Sequence, residues 1–282
     1  MRCEYYADKK WLNRLFIIST VFILSSCQTS SFTVPNITGN FTVNVIDVGK
    51  ADALGLSTSN HNVIIDSGES DDGDKIIEYL QENNIESIDY LFITHFDKDH
   101  IGGFSELVKN IKIDNIIAPD YESEKSEYEN YIKAIEKNKL SVTTLKKDIS
   151  FKLDDCIFRI NPPEEKSYDS ENDFSLAKSV THGDNHFLFM GDAEETRTKE
   201  ILKVFDGQYD FLKVPHHGRY NSMSQTLITS VNPQYAVVTD SSKNPANEQL
   251  LNILDNIGCN VYRTIDGNIK IVSDGNEIVI KK

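Results

Sequence analysis

Four side chains that bind metals well fall within six residues: His95, Asp97, Asp99 and His100, in the run Thr94-His95-Phe96-Asp97-Lys98-Asp99-His100-Ile101-Gly102-Gly103. The run directly follows an apolar stretch, residues 90–94, that reads as a buried strand. Imidazole and carboxylate are the usual protein donors to Zn²⁺, Mn²⁺ and iron. A loop at a strand end can curl so that alternate residues face one point. Gly102 and Gly103 then let the chain turn tightly into a helix. A solvated loop that merely happened to be rich in His and Asp would need neither the strand before it nor the glycine pair after it. The segment calls for a sheet edge where loops meet, with a metal centre on it.

The remaining pattern supplies such sheets. Strands are predicted over residues 41–47, 53–57, 62–66, 115–118, 142–145 and 157–161, with helices over 74–82, 104–110 and 125–139. The last of these, charged with Tyr and Ile at helical spacing, reads as an amphipathic surface helix. Residues 162–173 read as a polar loop. Residues 176–182 and 186–190 flank Gly183-Asp184-Asn185 and read as a hairpin. Helices over 194–205, 222–230 and 247–257 then alternate with strands over 211–215, 235–239 and 260–263. Strands over 269–273 and 277–280 close the chain. Hairpins mixed with helical crossovers predict an α/β layered fold with mixed sheets.

The chain's 282 residues carry 29 Lys plus Arg against 44 Asp plus Glu, a formal charge of −15. So acidic a body has no general attraction for nucleic acid, which leaves a local basic groove as the electrostatic route to one. Basic residues gather at the start. Arg2, Lys9, Lys10 and Arg14 precede the apolar run LFIISTVFIL, which is short for a membrane span and suits a signal-peptide core. Leu24-Ser25-Ser26-Cys27 follows and resembles a bacterial lipoprotein signal. The expectation is a signal peptide over 1–26, a lipidated Cys27 with a polar tether over 27–40, and one hydrolase domain over 41–282. The alternative is an uncleaved anchor helix. Either places the body at the cell envelope, facing the periplasm or exterior, with a membrane as partner. No protein partner is inferred. Cys156 and Cys259 form no disulfide framework and read as buried small residues.

The H-x-D-x-D-H-x-G-G pattern resembles the first motif of the metallo-β-lactamase superfamily, usually H-x-H-x-D-H. It most resembles the ComEC-like branch, the hydrolase domain of DNA-uptake proteins. Further stretches resemble that branch in order: FTVNVIDVGKADA from Phe41, with Asp47, Gly49 and Asp52; Ile64-Ile65-Asp66-Ser67-Gly68; Asn172-Asp173-Phe174-Ser175-Leu176; FLFMGDAE from Phe187, with Asp192; and LKVPHHG from Leu212. The resemblance runs from about residue 41 to the C-terminus. It implies an αββα sandwich of two mixed sheets flanked by helices, with the site on the edge between them. It implies one or two divalent ions, Zn or Mn. His95 and Asp97 would hold the first, and Asp99, His100 and His217 the second, with Asp192 bridging. His216 would contact substrate or support the ligands from behind. Lys213 would offset substrate charge or face solvent. Turnover would depend on Asp99 and Asp192.

This sequence also departs from the pattern. Asp97 stands where many relatives have His, which hardens the site toward Mn²⁺ or iron. The third His before the central hairpin is replaced by Glu171-Asn172-Asp173, so either Asp173 supplies an oxygen ligand or the first position is weak and one ion suffices. A Gly-His-Pro common later in relatives reads Ser241-Ser242-Lys243-Asn244-Pro245. Asp66 either orients a ligand histidine or caps a turn. His61 and His186 read as packing or surface residues and His182 as exposed at a turn. The expected activity is phosphodiester hydrolysis by a metal-activated water, with a phosphoester substrate, DNA included. Hydrolysis of a lactone or β-lactam, or a non-catalytic envelope binding role, remain the alternatives on the same fold.

Overall fold

The structure, a computed structural model, describes residues 39–281, so the expected leader, Cys27 and the tether up to residue 38 lie outside the described residues. Alternating apolar residues build the first sheet from an antiparallel meander of β1 (Phe41–Val45), β2 (Leu54–Ser57) and β3 (Asn62–Ile65). Helix α1 (Gly73–Glu82) crosses to β4 (Ser87–Phe92), parallel to β3. The short α2 (Lys98–Ile101) and α3 (Phe104–Asn110) lead to β5 (Lys112–Pro119), and α4 (Ser126–Asn138) leads to β6 (Val142–Leu145). Both strands continue the parallel half.

The second sheet repeats this scheme. Strands β7 (Ile149–Leu153), β8 (Cys156–Asn161), β9 (Ala177–His182) and β10 (Asn185–Phe189) run antiparallel in sequence order. Helices α5 (Glu195–Val204), α6 (Ser224–Val231) and α7 (Glu248–Asn256) then connect the parallel strands β11 (Phe211–Lys213), β12 (Tyr235–Val238) and β13 (Asn260–Arg263). The hairpin of β14 (Ile269–Ser273) and β15 (Ile278–Lys281) returns to the first sheet, where β14 pairs antiparallel with β1. The strand orders are β15-β14-β1-β2-β3-β4-β5-β6 and β13-β12-β11-β10-β9-β8-β7.

Side-chain alternation sorts the core into three layers. Phe41, Val43 and Val45 of β1 meet Phe158, Phe187, Phe189 and Phe211 between the sheets. Ile64 and Leu91 turn outward against Ile76, Leu80, Phe104 and Leu107 of the first helical layer. Leu188 and Leu212 turn outward against Ile201, Leu227 and Leu254 of the second. This is the αββα sandwich that the resemblance implies. Among the described residues no helix is long and apolar enough to cross a membrane. Cys156 and Cys259 are free and buried.

Two differences from the sequence reading have physical causes. Residues 149–153 form edge strand β7, in which Ile149, Phe151 and Leu153 alternate with Ser150 and Lys152 over only five residues, a signal too brief to stand out. His182 is buried rather than exposed, with Nδ1 2.8 Å from Ser273 Oγ. The β9–β10 turn is covered by the β14–β15 turn, where Asp184 N–H donates to Gly275 O at 2.7 Å. A partner 91 residues away in the chain is invisible to local reading.

Candidate metal centre

The carboxyl ends of parallel strands from both sheets share one edge. Asp66 follows β3, Thr94 and His95 follow β4, Asp192 follows β10, His216 and His217 follow β11, and Thr239 follows β12. Asp52 reaches the same edge because β2 runs antiparallel to β3. The carbonyl of Asp97 accepts from the N–H groups of His100 and Ile101, both at 3.0 Å, which starts α2 and places Asp99 and His100 in its first turn. The glycine pair serves close approach: a Cβ on Gly103 would lie 2.1 Å from Ser67 O. Gly191, at φ +58°, likewise lets the chain pass between Thr94 and Ser175 to present Asp192.

Four buried polar atoms converge here without a hydrogen-bond partner: Nε2 of His95, His100 and His217, and Oδ1 of Asp192. Donor atoms of His95, His100 and Asp192 lie within 4.8 Å of one another, as do those of Asp99, His100 and His217. His100 belongs to both sets. His100 Nε2 and His217 Nε2 lie 3.4 and 3.2 Å from Asp192 Oδ2. Buried polar atoms left unpaired are costly, so a cluster of them aimed at one point fits a divalent cation.

The outer nitrogens of two rings are fixed so that the inner ones are free to ligate. Asp66 Oδ2 lies 2.8 Å from His100 Nδ1, while the same carboxylate accepts from Thr94 N–H and Thr94 Oγ1–H, each at 2.7 Å. Asp66 thus orients His100, from a left-handed backbone position of φ +58°. His217 Nδ1 lies 3.0 Å from the Thr239 carbonyl, which can only accept, so the proton sits on Nδ1. Thr239 Oγ1–H in turn donates to Asp52 Oδ1 at 2.7 Å, and Asp52 Oδ2 pairs with Lys213. His216 and His217 both hold positive φ, 50° and 51°, a conformation non-glycine residues adopt only where the surroundings impose it.

The electrostatics favour positive charge at the convergence point. Burial alone would keep His100 and His217 neutral. Burial is the largest single influence, but the carboxylates together overcome it and raise both rings: Asp192 and Asp66 at His100, and Asp192, Asp52 and Asp99 at His217. Burial would raise Asp192, yet the same two rings hold it well below the usual carboxylate range. Burial would raise Asp99 too, but His217, His100 and Lys50 hold it low. Burial and the neighbouring His100 push His95 down to about 4, so its ring is neutral and ready to ligate.

The structure therefore brings together His95, Asp99, His100, Asp192 and His217, and takes other predicted residues elsewhere. Asp97 pairs with Lys125 and joins neither donor set. Asp173 Oδ1 accepts from Glu194 N–H at 2.8 Å and Arg197 N–H at 3.2 Å, so it caps α5 rather than facing the centre. Lys213 is fully buried on Asp52, away from solvent, because β11 alternation places it on the same inter-sheet face as Phe211. It cannot offset substrate charge. His216 stands at the rim, its Nδ1 3.2 Å from Glu194 Oε1 and its Nε2 3.4 Å from Asn172 Nδ2. Lys50 was not anticipated; its Nζ lies 2.8 Å from Asp99 Oδ2 at the mouth. Its signal was a lone cation in an acidic motif. A cavity of about 440 Å³ between α3 and α4 is lined by none of the converging donors.

The family model of the metallo-beta-lactamase superfamily matches residues 53–238. The chain is 25% identical over 279 residues to the ComE operon protein 3 of Bacillus subtilis, covering 91% of this chain and 36% of that protein. It is 29% identical over 208 residues to Recombination protein 2 of Haemophilus influenzae, covering 72% and 24%. The chain thus spans about a third or less of the length of these relatives. Among solved structures, the metallo-beta-lactamase fold protein YhfI from Bacillus subtilis matches with a TM-score of 0.56 at 11% identity, covering 86% of this chain and 100% of that one. Likeness at that identity concerns the fold alone.

Proposed function

The chain belongs to the metallo-beta-lactamase superfamily, and from that premise we propose that it is a metal-dependent phosphodiesterase of the cell envelope. The observation that carries this reading is the convergence of His95, His100 and His217 Nε2 with Asp192 Oδ1, all buried and without partners. The ligands would be those atoms together with Asp99. A divalent ion held there supplies charge for a phosphoryl oxygen and activates water for attack.

The chain's own residues do the rest. Asp66 and Thr239 hold the two rings at fixed angles. Asp52, neutralised by Lys213, steadies Thr239 from behind. Lys50 brings a cation to the open side of Asp99, where a phosphodiester's second free oxygen would arrive. His216, tied by Glu194, is placed to hydrogen-bond a substrate oxygen at the rim. The similarity to ComE operon protein 3 and Recombination protein 2 makes DNA the first polymer to test, against the chain's overall acidity.

The reading is tested by comparing substrates on the full chain in detergent, loaded with Mn²⁺ or Zn²⁺. Bis-p-nitrophenyl phosphate should be turned over and nitrocefin should not. Nitrocefin turnover without phosphodiester turnover would move the activity to a different bond. The envelope placement rests on Cys27. A Cys27→Ser chain should lose incorporation of labelled palmitate in bacterial cells, and full retention of label would refute the lipid anchor.

A further inference from the structure

The residues expected around a first metal position are mostly engaged elsewhere. Asp97 Oδ1 is held by Lys125 Nζ. The same ammonium lies 3.5 Å from Glu171 Oε2, which also accepts from Ser123 Oγ at 2.9 Å. Asn172 Nδ2 donates to Glu194 at 2.9 Å, and Asp173 caps α5. His95 alone of these sends a donor atom into the cluster, and it does so beside His100 and Asp192. Lys125 is not a loose surface cation. The loop that carries it, between β5 and α4, is pinned over the site by Tyr121, whose hydroxyl accepts from Phe96 N–H at 2.7 Å. The Tyr121 ring also stacks on Phe174 with centroids 4.0 Å apart.

We propose that Lys125 limits this chain to one divalent ion, by holding Asp97 out of the centre and standing where a second cation would be attracted. The inference rests on the metal reading above, but its outcome is separable from it. An ammonium placed between two carboxylates satisfies the charge that would otherwise recruit an ion. Without Lys125, Asp97 loses its cation partner two residues from His95 while Glu171 keeps its bond from Ser123, which releases carboxylate oxygens of the kind that suits Mn²⁺. Lys125 is thus a positioning residue for the metal complement and has no contact with the reacting atoms.

The test is metal content and spectrum, not turnover. The full chain in detergent is stripped with chelator and equilibrated with excess Mn²⁺, and free metal is removed. Wild type should retain one Mn²⁺ per chain with the six-line spectrum of an isolated ion. Lys125→Ala should retain two, with the spectrum of an exchange-coupled pair, and Lys125→Arg should restore one. Asp97→Asn should keep one ion without the roughly 10–100-fold loss of affinity that even an indirect partner of a metal causes. Two ions in wild type, one in Lys125→Ala, or a lost ion in Asp97→Asn would each overturn the proposal. No ion in any of the proteins would sink the metal reading itself and this one with it.

Discussion

At the scale of single residues, the candidate centre depends on groups outside the cluster of converging donors. Asp66 fixes the tautomer and the tilt of His100 through one 2.8 Å contact and is itself held by two bonds from Thr94. Replacing it by Ala should lower metal affinity about 10–100-fold, read by competition with a chelator of known strength. Affinity unchanged in that variant would mean the contact is only structural. His95, Asp99, His100, Asp192 and His217, which converge, were all legible as candidate donors in the sequence, while Asp97 and Asp173, read the same way, are engaged elsewhere. The sequence left Asp66 between two roles, and in the structure its carboxylate serves His100 and Thr94 rather than its own turn. Asp52 and Lys213 were less legible. A lysine next to a histidine pair reads as a surface cation until strand alternation and a carboxylate 161 positions away bury it.

At the scale of elements, the site is made by strand ends and by the short turns that follow them. The 3₁₀ turn Pro215–Gly218 presents two histidines with left-handed backbone, anchored by His216 N–H on Gly191 O at 3.2 Å and by Thr239 on the His217 ring. No local preference predicts that conformation, since histidine adopts it only when neighbours compel it. Helix α5 shows the reverse error. Its start was legible, but its cap comes from Asp173, more than 20 residues upstream. A carboxylate near a metal motif reads as a ligand, and here the backbone N–H groups of a helix end claim it first. Asp173→Ala should therefore cost on the order of 1 kcal/mol of stability, as loss of a helix cap does, with metal content unchanged. Urea unfolding and elemental analysis of the same sample check this. Metal lost in step with the substitution would return Asp173 to the ligand set.

At the scale of the whole molecule, each sheet has an antiparallel part and a parallel part, and the parallel parts end together at the metal edge. That arrangement was legible as a class, because hairpin turns and helical crossovers leave different spacings in the chain. Pairing was not. Strand β14 returns to β1 across more than 220 residues, a choice made by the shared core of Phe41, Ile269 and Ile271 rather than by any turn. The aromatic packing of Phe41 against Phe187, centroids 5.0 Å apart, is one of the contacts that join the two sheets. The acidic surface is independent of this core, and it bears on which substrates approach rather than on the fold.

The central claim is that this edge holds a catalytic metal through Asp192 and its neighbours. The most direct test strips the full chain with chelator, restores Mn²⁺, and follows bis-p-nitrophenyl phosphate hydrolysis beside an Asp192→Ala chain of matched folding. Wild-type activity should vanish on stripping and return with the ion, and the variant should fall by on the order of a hundredfold or more. Hydrolysis that survives chelation, or that persists undiminished in folded Asp192→Ala, would contradict it.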